Sequence, residues 1–434
     1  MFGYYLELAL RSLRRSRALT ALMIIAIALG IGASMTTLTV LHVLSGDPLP
    51  GSSGSIFIPR FDPRDKDGFE PSVALPTQVT WIDGNNLLKA RRAQRQVLMV
   101  GGAAPVQPDD PAIDPFIVPA RYATADFFAM FQTPFRYGQP WGAAEDESRA
   151  RVAVIGAELN DRLFHGENSV GRTVRAGGVD LRIIGVLNPW RPSPHFFDLT
   201  VGSYGSSEDL LVPLSTARSQ LLPRNGGISC WGKGSSDEAN MESAECTWLQ
   251  FWVQLHGAAE VAAYRQFLDG YVAEQLKSGR FQRPVNTDLP DVMRFLDEQH
   301  VVPSDARLQV WLSLGFFVVC LVNTVGLMLA KFMRRAGEVG VRRALGASRR
   351  SVFMQLLTEA AIVGLAGGVL GLGVALLGLS IIRMQPGAAA QLAHLDLAML
   401  GMTFVVSILA ALAAGMLPAW RVCRIAPALQ IKSQ

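Results

Sequence analysis

Hydrophobic positions in this chain gather into four long runs, and the segments between them carry other periodicities. Predominantly apolar stretches occupy residues 18–44, 308–330, 353–382 and 396–417. Crossing the hydrocarbon of a bilayer takes about 20 helical residues at a rise of ~1.5 Å each. A helix also satisfies its own backbone where lipid offers no partner. The pattern therefore predicts four transmembrane α-helices.

Between the first and second runs the texture changes. Residues 55–59 read as a short strand, and 85–99 as a basic amphipathic helix with Leu87, Leu88, Ala90 and Ala93 available for packing. Residues 124–130 read as a short helix capped by Thr124. Strands are expected over 151–156, 171–175, 179–186, 209–213 and 247–255, and helices over 157–164 and 261–276. Residues 288–307 look helical and lead into the second run, with Pro303 predicting a break or kink. These elements describe a large two-lobed α+β domain over 45–307, an outer lobe at roughly 119–220 being inserted in a membrane-proximal one. Residues 41–50 and 288–307 would extend the membrane helices outward as a helical stalk.

Charge orients this layout. Arg11, Arg14, Arg15 and Arg17 precede the first run, and the tail after the fourth carries Arg421, Arg424 and Lys432. The loop after the second run holds Lys331, Arg334, Arg335, Arg342, Arg343, Arg349 and Arg350 against the single acid Glu338. Lys and Arg accumulate on the cytoplasmic side of membranes. The amino end (1–17), the 331–352 loop and the tail (418–434) are therefore expected inside, and 45–307 and the short loop 383–395 outside, in the periplasm. Residues 44–307 contain 25 Lys plus Arg and 32 Asp plus Glu, 25 − 32 = −7, although the whole chain is +4. The basic balance is thus a topology signal and gives no reason to expect nucleic acid. The first apolar run is far longer than the core of a signal peptide, so it reads as a retained span.

Cys320 lies in the second run and Cys423 in the basic tail, where free thiols are expected. Cys230 and Cys246 bracket a Gly-, Ser- and acid-rich loop in the outside domain, where an oxidising compartment favours a disulfide. A metal site built from them with His256 would have poor ligand spacing and lack a fourth ligand, so no metal is expected. The sequence holds no phosphate-cradling loop ending in Gly-Lys-Ser/Thr, no His-Glu-x-x-His and no Gly-x-Ser-x-Gly turn. Its acids do not stand out from ordinary surface charge. Catalysis by this chain is not expected, and no cofactor is assigned to it.

Two features of the apolar runs bear on assembly. Gly364, Gly367, Gly368 and Gly371 form overlapping Gly-x-x-x-Gly pairs, which let helix backbones approach closely, and Asn323 can hydrogen-bond between helices. Gln355 and Glu359 sit one turn apart at the start of the third run. An ionisable group at a membrane is costly, so Glu359 is expected to be partnered or interfacial.

Several stretches carry a family resemblance, in order along nearly the whole chain. They are Ala9-Leu-Arg-Ser-Leu-Arg-Arg-Ser-Arg17 with Ala26-Ile-Ala-Leu-Gly-Ile-Gly32, and Arg334-Arg-Ala-Gly-Glu-Val-Gly-Val-Arg-Arg-Ala-Leu-Gly-Ala347 with Gln355-Leu-Leu-Thr-Glu-Ala360. Outside the membrane they are Arg151-Val-Ala-Val-Ile-Gly156, Leu163-Phe-His-Gly166, Val170-Gly-Arg172 and Ile183-Ile-Gly-Val186, and the tail adds Pro418-Ala-Trp-Arg-Val-Cys-Arg-Ile-Ala-Pro-Ala-Leu429. Together they resemble the MacB/FtsX-like permeases of ABC transporters.

The resemblance implies a dimer of four-span subunits, identical or paired paralogues, each with a two-lobed periplasmic domain on a stalk. It implies a separate cytoplasmic ATPase subunit, which would hold ATP and Mg. Arg334, Arg335, Glu338, Gly340, Arg342, Arg343, Gly346 and Ala347 would form or position the helix on which that ATPase docks. The implied action is mechanotransmission: ATP-driven closure of the partner moves the membrane helices and, through them, the periplasmic domain. The expected role is efflux of a periplasmic substrate through an adaptor and an outer-membrane duct. Lipoprotein release, or FtsX-like activation of a periplasmic cell-wall hydrolase, are the alternatives.

Overall fold

The computed structural model describes residues 16–205, 207–232, 240–384 and 397–424. Two compact units result, one from the ends of the chain (Met1–Ser45 with Val302–Gln434) and one from Gly46–Val301. Among the described residues the first unit opens with helix α1 (Arg17–Leu44), which ends at a Ser45 C-cap.

The Gly46–Val301 unit is built on a mixed sheet. Its elements in chain order are β1 (Ile56–Phe57), β2 (Arg60–Phe61), α2 (Trp81–Ala90), β3 (Arg95–Gln107), β4 (Phe116–Ala123), α3 (Asp126–Met130), β5 (Phe135–Gly138), α4 (Ala143–Ser148), β6 (Val152–Ile155), α5 (Ala157–Phe164), β7 (Thr173–Ala176), β8 (Val179–Leu187), β9 (Leu210–Pro213), α6 (Leu214–Ser219), β10 (Arg224–Asn225), β11 (Ser229–Cys230), β12 (Cys246–Thr247), β13 (Gln250–Gln254), α7 (Gly257–Lys277), β14 (Thr287–Asp288) and α8 (Val292–Glu298). The main path runs β1-β13-β3-β4-β9-β6-β8-β5, with β4–β9 and β6–β8 parallel and the other neighbours antiparallel. One sheet therefore passes through the 119–220 segment and its surroundings.

The alternation of strand side chains divides the core in two. On β3, Leu98 and Val100 enter one cluster while Val97 and Met99 enter the other. On β13, Phe251 and Val253 face the first and Trp252 the second. Strands buried on both faces read as continuous apolar runs, which is why β6 (Val-Ala-Val-Ile) and β9 (Leu-Leu-Val-Pro) are legible as strands. Gly102 sits in β3 where any side chain would strike the ring of Tyr122, whose Oη would lie 2.6 Å from an added Cβ.

Two expectations are corrected here. The helix read over 85–99 stops at Ala90, and 95–107 is the longest strand of the path. Arg91 takes the left-handed conformation (φ 47°) that ends the helix, and Gln96-Val-Leu-Met-Val100 is a pleated run with a buried partner on each face. Thr124 does not cap the helix after it; its hydroxyl accepts from the Leu98 N–H at 3.2 Å, and the N-cap is Ala125. Residues 288–307 are helical in two pieces with the break where Pro303 predicts it: α8 ends at Glu298, and the next helix begins at Ser304.

A charged knot lies inside this unit. Arg121 on β4 is 1% exposed and donates to Asp198 Oδ2 (2.6 Å) and to Glu208 Oε1 (2.7 Å from Nη2). Both nitrogens of His195 face acceptors, the Asp198 carbonyl and Glu208 Oε1. Burial pushes the Glu208 carboxyl up, but His195 and Arg121 beside it hold it down at about 2. The knot closes the 195–208 loop onto the sheet, where Gln250 and Thr200 complete the shell of Asp198.

The remaining helices belong to the membrane unit: α9 (Ser304–Met333), α10 (Ala336–Ala344), α11 (Arg349–Arg383) and α12 (Leu397–Arg424). Helices α1, α9, α11 and the Val405–Cys423 part of α12 are long and apolar enough to cross a bilayer. α12 continues through Pro418 instead of ending near 417. The ring removes one backbone hydrogen bond, and burial of Ala419, Val422 and Cys423 offsets that loss.

Candidate coupling site in the membrane unit

The loop between the second and third spans folds into a short helix, α10. Glu338 lies in its first turn, and Arg342 and Arg343 in its last, which complements the partial positive charge of a helix start and the partial negative charge of its end. Gly346 then turns the chain at φ 101°, a conformation open to glycine. Ser348 caps α11 by accepting from the Ser351 N–H at 3.1 Å.

The inner side of α10 is tied to its own unit. Gly340 is buried and Arg335, Arg343 and Ala347 are half-buried. Arg343 donates to the Cys423 carbonyl at 3.2 Å on α12. Arg342, although exposed, donates from Nη1 to Gln355 Oε1 of α11 at 3.1 Å. The outer side is exposed and carries Glu338, Val341, Arg342 and Leu345, with Arg334 exposed at the C-cap of α9. Positions 338, 341, 342 and 345 follow the i, i+3, i+4, i+7 spacing of a single helix face. Val341 is 50% and Leu345 83% exposed. The charged residues of this stripe are expected from the sequence; the apolar pair is not, although its spacing is there to be read. A cleft of about 490 Å³ opens beside α10, lined among others by Arg17, Arg334, Arg335 and Glu338.

Beneath the stripe lies a buried ion pair between Lys331, in the last turn of α9, and Glu359 of α11, exposed by 2% and 3% at their side chains. Lys331 also donates to Thr20 Oγ1 on α1 at 3.3 Å, and Arg335 Nη1 stands 4.0 Å from Glu359 Oε2. Glu359 is thus partnered inside the bundle, while Lys331 reads in the sequence only as a topology charge.

The glycines of α11 pack within the chain. An added Cβ at Gly364 would strike Ala411 on α12, one at Gly367 would lie 2.6 Å from Ile27 Cγ2 on α1, and one at Gly371 3.2 Å from the Ala28 carbonyl. Gly368 is buried between them. Asn323 faces outward from α9 and takes no part in these contacts. Cys230 and Cys246 stand opposite each other on β11 and β12 and form a disulfide, with Cα atoms 4.0 Å apart. Residues 233–239 of the loop it closes lie outside the described residues, as do Arg11, Arg14, Arg15 and Lys432. Cys320 and Cys423 are free and buried.

Comparison with known proteins decides the family. Residues 20–269 match the MacB-like periplasmic core domain, and residues 310–427 match the FtsX-like permease C-terminal domain. The chain belongs to the MacB/FtsX-like family of ABC transporter permeases. It is a multi-pass inner-membrane protein, and its Gly46–Val301 unit is the periplasmic domain.

Among its relatives is the macrolide export ATP-binding/permease protein MacB of Bdellovibrio bacteriovorus, 25% identical over 244 residues, covering 55% of this chain and 32% of the relative. The pyoverdine export ATP-binding/permease protein PvdT of Pseudomonas fluorescens is 23% identical over 391 residues, covering 85% of this chain and 50% of the relative. This permease therefore spans between a third and a half of the length of these two relatives. The solved periplasmic region of MacB from Actinobacillus actinomycetemcomitans aligns with 59% of this chain and 96% of its own, at 15% identity and a TM-score of 0.38.

Proposed function

We propose that this permease couples ATP hydrolysis by a separate cytoplasmic ATPase subunit to movement of its periplasmic domain, and so drives efflux of a periplasmic substrate. The observation that carries this reading is the outward stripe of α10. It sets an acid (Glu338), a base (Arg342) and two apolar side chains (Val341, Leu345) on one exposed face, while Arg343 on the inner face is anchored to α12 and Arg342 also reaches Gln355 of α11. A helix held in this way can seat in a groove on a partner and follow the groove when it moves. Positive charge kept on one side by topology alone explains neither Glu338 nor the exposed apolar pair.

In this reading α10 and both termini are cytoplasmic, and ATP and Mg are held by the partner chain. A second permease subunit, identical or paired, completes the transporter. The relatives' names, macrolide export and pyoverdine export, favour efflux, with a periplasmic adaptor and an outer-membrane duct completing the route.

The test is a mild-detergent pull-down of the tagged protein from its native host, with mass spectrometry of the partners. An ATPase together with an adaptor is the expected catch. Combining Glu338→Lys with Arg342→Glu should lower ATPase recovery at least about tenfold, equivalent to ~1.4 kcal/mol of binding, without changing the melting temperature. Absence of any ATPase, or equal recovery with the double variant, would contradict the assignment. An ATPase accompanied by lipoprotein or a wall hydrolase, but no adaptor, would keep the coupling and replace efflux.

A further inference from the structure

We propose that the buried Lys331–Glu359 ion pair is the stiff link through which movement of α10 enters the first and third spans. The inference rests on the coupling reading above and adds the route inside the membrane unit. Three spans converge on this pair: α9 supplies Lys331, α11 supplies Glu359, and α1 supplies the Thr20 hydroxyl that accepts from Lys331 at 3.3 Å. One turn beyond Lys331 comes Arg335, the N-cap of α10, with its guanidinium 4.0 Å from the same carboxylate. The docking helix is thus tied at its root to a point shared by three membrane helices.

Stability does not explain the pair. Removing two charges from water costs several kcal/mol per ion, and well-packed apolar residues in place of a buried ion pair are often neutral or stabilising. On the same helices, Met328 and Phe332 of α9 and Leu356 and Val363 of α11, within four residues of Lys331 or Glu359 in sequence, belong to the apolar core of the membrane unit. Resistance to sliding is what distinguishes an ion pair there. Apolar contact is non-directional, so helices held by it alone can slip past each other. Opposite charges at low dielectric attract strongly and steeply with distance, so a shift of one helix pulls the other. From Glu359, α11 runs on through Gly364, Gly367 and Gly371, where it lies backbone-close to α12 and α1. Motion delivered at the pair is passed to helices that have no slack.

The test uses the permease–ATPase complex purified from its host and placed in nanodiscs. Hydrogen–deuterium exchange of the periplasmic domain is compared with and without Mg-ATP and vanadate. The informative variant replaces both charges together, Lys331→Met with Glu359→Leu, because either change alone strands a buried charge and endangers the fold. The double variant should keep the melting temperature and wild-type ATPase recovery, yet lose at least about 90% of the nucleotide-dependent change in exchange. A wild-type response in that variant overturns the proposal. Should the double variant fail to fold, Thr20→Val decides. A response lowered about threefold, with ATPase still bound, supports the link, and an unchanged response overturns it. If the wild type brings no ATPase, the coupling reading itself has failed, and that outcome is visible before any variant is compared.

Discussion

Arg121→Met should unfold the periplasmic domain well below the wild-type temperature, although methionine fills much of the same volume. The guanidinium is 1% exposed and holds two carboxylates, Asp198 and Glu208, that are themselves buried. It also lies over the Phe197 ring at 5.1 Å. Removing one partner of a buried ion network leaves the others uncompensated, which costs about 3–5 kcal/mol. For a domain of this size that corresponds to a melting temperature lower by roughly 6–20 °C, measurable on the full chain in detergent. The pH dependence should change as well. In the wild type Glu208 is held down at about 2, so its contribution is present above its ordinary value of 4.5 and is lost as pH falls from there through about 2. Without Arg121, burial, the largest influence on Glu208, meets less opposition. The acid-side loss of stability should then flatten or reverse. A variant that melts within about 2 °C of the wild type, a shift too small for a lost buried ion partner, with the same acid limb, would show that the knot is not what closes this domain.

Gly367→Leu should separate α1 from α11. Even the first carbon of a side chain would lie 2.6 Å from Ile27 Cγ2 and 2.9 Å from Ile27 Cβ, on a residue with no exposed surface. Overpacking of a closed interface costs about 3 kcal/mol at its upper range, and here the clash falls where two helix backbones come together. The expected result is loss of the monodisperse peak after mild heating in detergent. Gly373→Leu is the matched control, because no atom lies within 4 Å of the Cβ it would add. Equal behaviour of the two variants would mean that the glycines of α11 do not set the packing of the bundle.

The range of each interaction determines how much of the fold and the site is legible in the sequence. The four spans depend on runs of about 20 neighbouring residues, and hydropathy shows them directly. The short strands β6 and β9 are readable because burial on both faces leaves a local apolar signature, and β8 because exposed Asp180 and Arg182 alternate with buried Leu181 and Ile183. β3 is misread because the residues leading to it, Asn85 to Ala90, are helical, and only pairing with β4 and β13 makes 95–107 a strand. Long-range polar contacts leave no trace at all. Arg121 meets partners 77 and 87 residues away, so its acids look like ordinary surface charge. Lys331 and Glu359 lie on separate spans, each with a local explanation that hides the other. On α10 the charged positions stand out and Val341 and Leu345 do not, because two apolar residues in a short loop carry meaning only once the helix shows which way they face.

The central claim is that α10 is the surface on which the transporter's ATPase acts. Its most direct test is a photo-crosslinking amino acid at Leu345, 83% exposed on the stripe, incorporated in the native host and irradiated in intact cells. The account predicts a crosslinked band containing an ATP-binding chain. The same probe at Ile117, 71% exposed in the periplasmic domain, should give no such band. Crosslinks from Leu345 to lipid or periplasmic proteins alone, or modification of a Leu345→Cys variant by a membrane-impermeant reagent from outside the inner membrane, would contradict it.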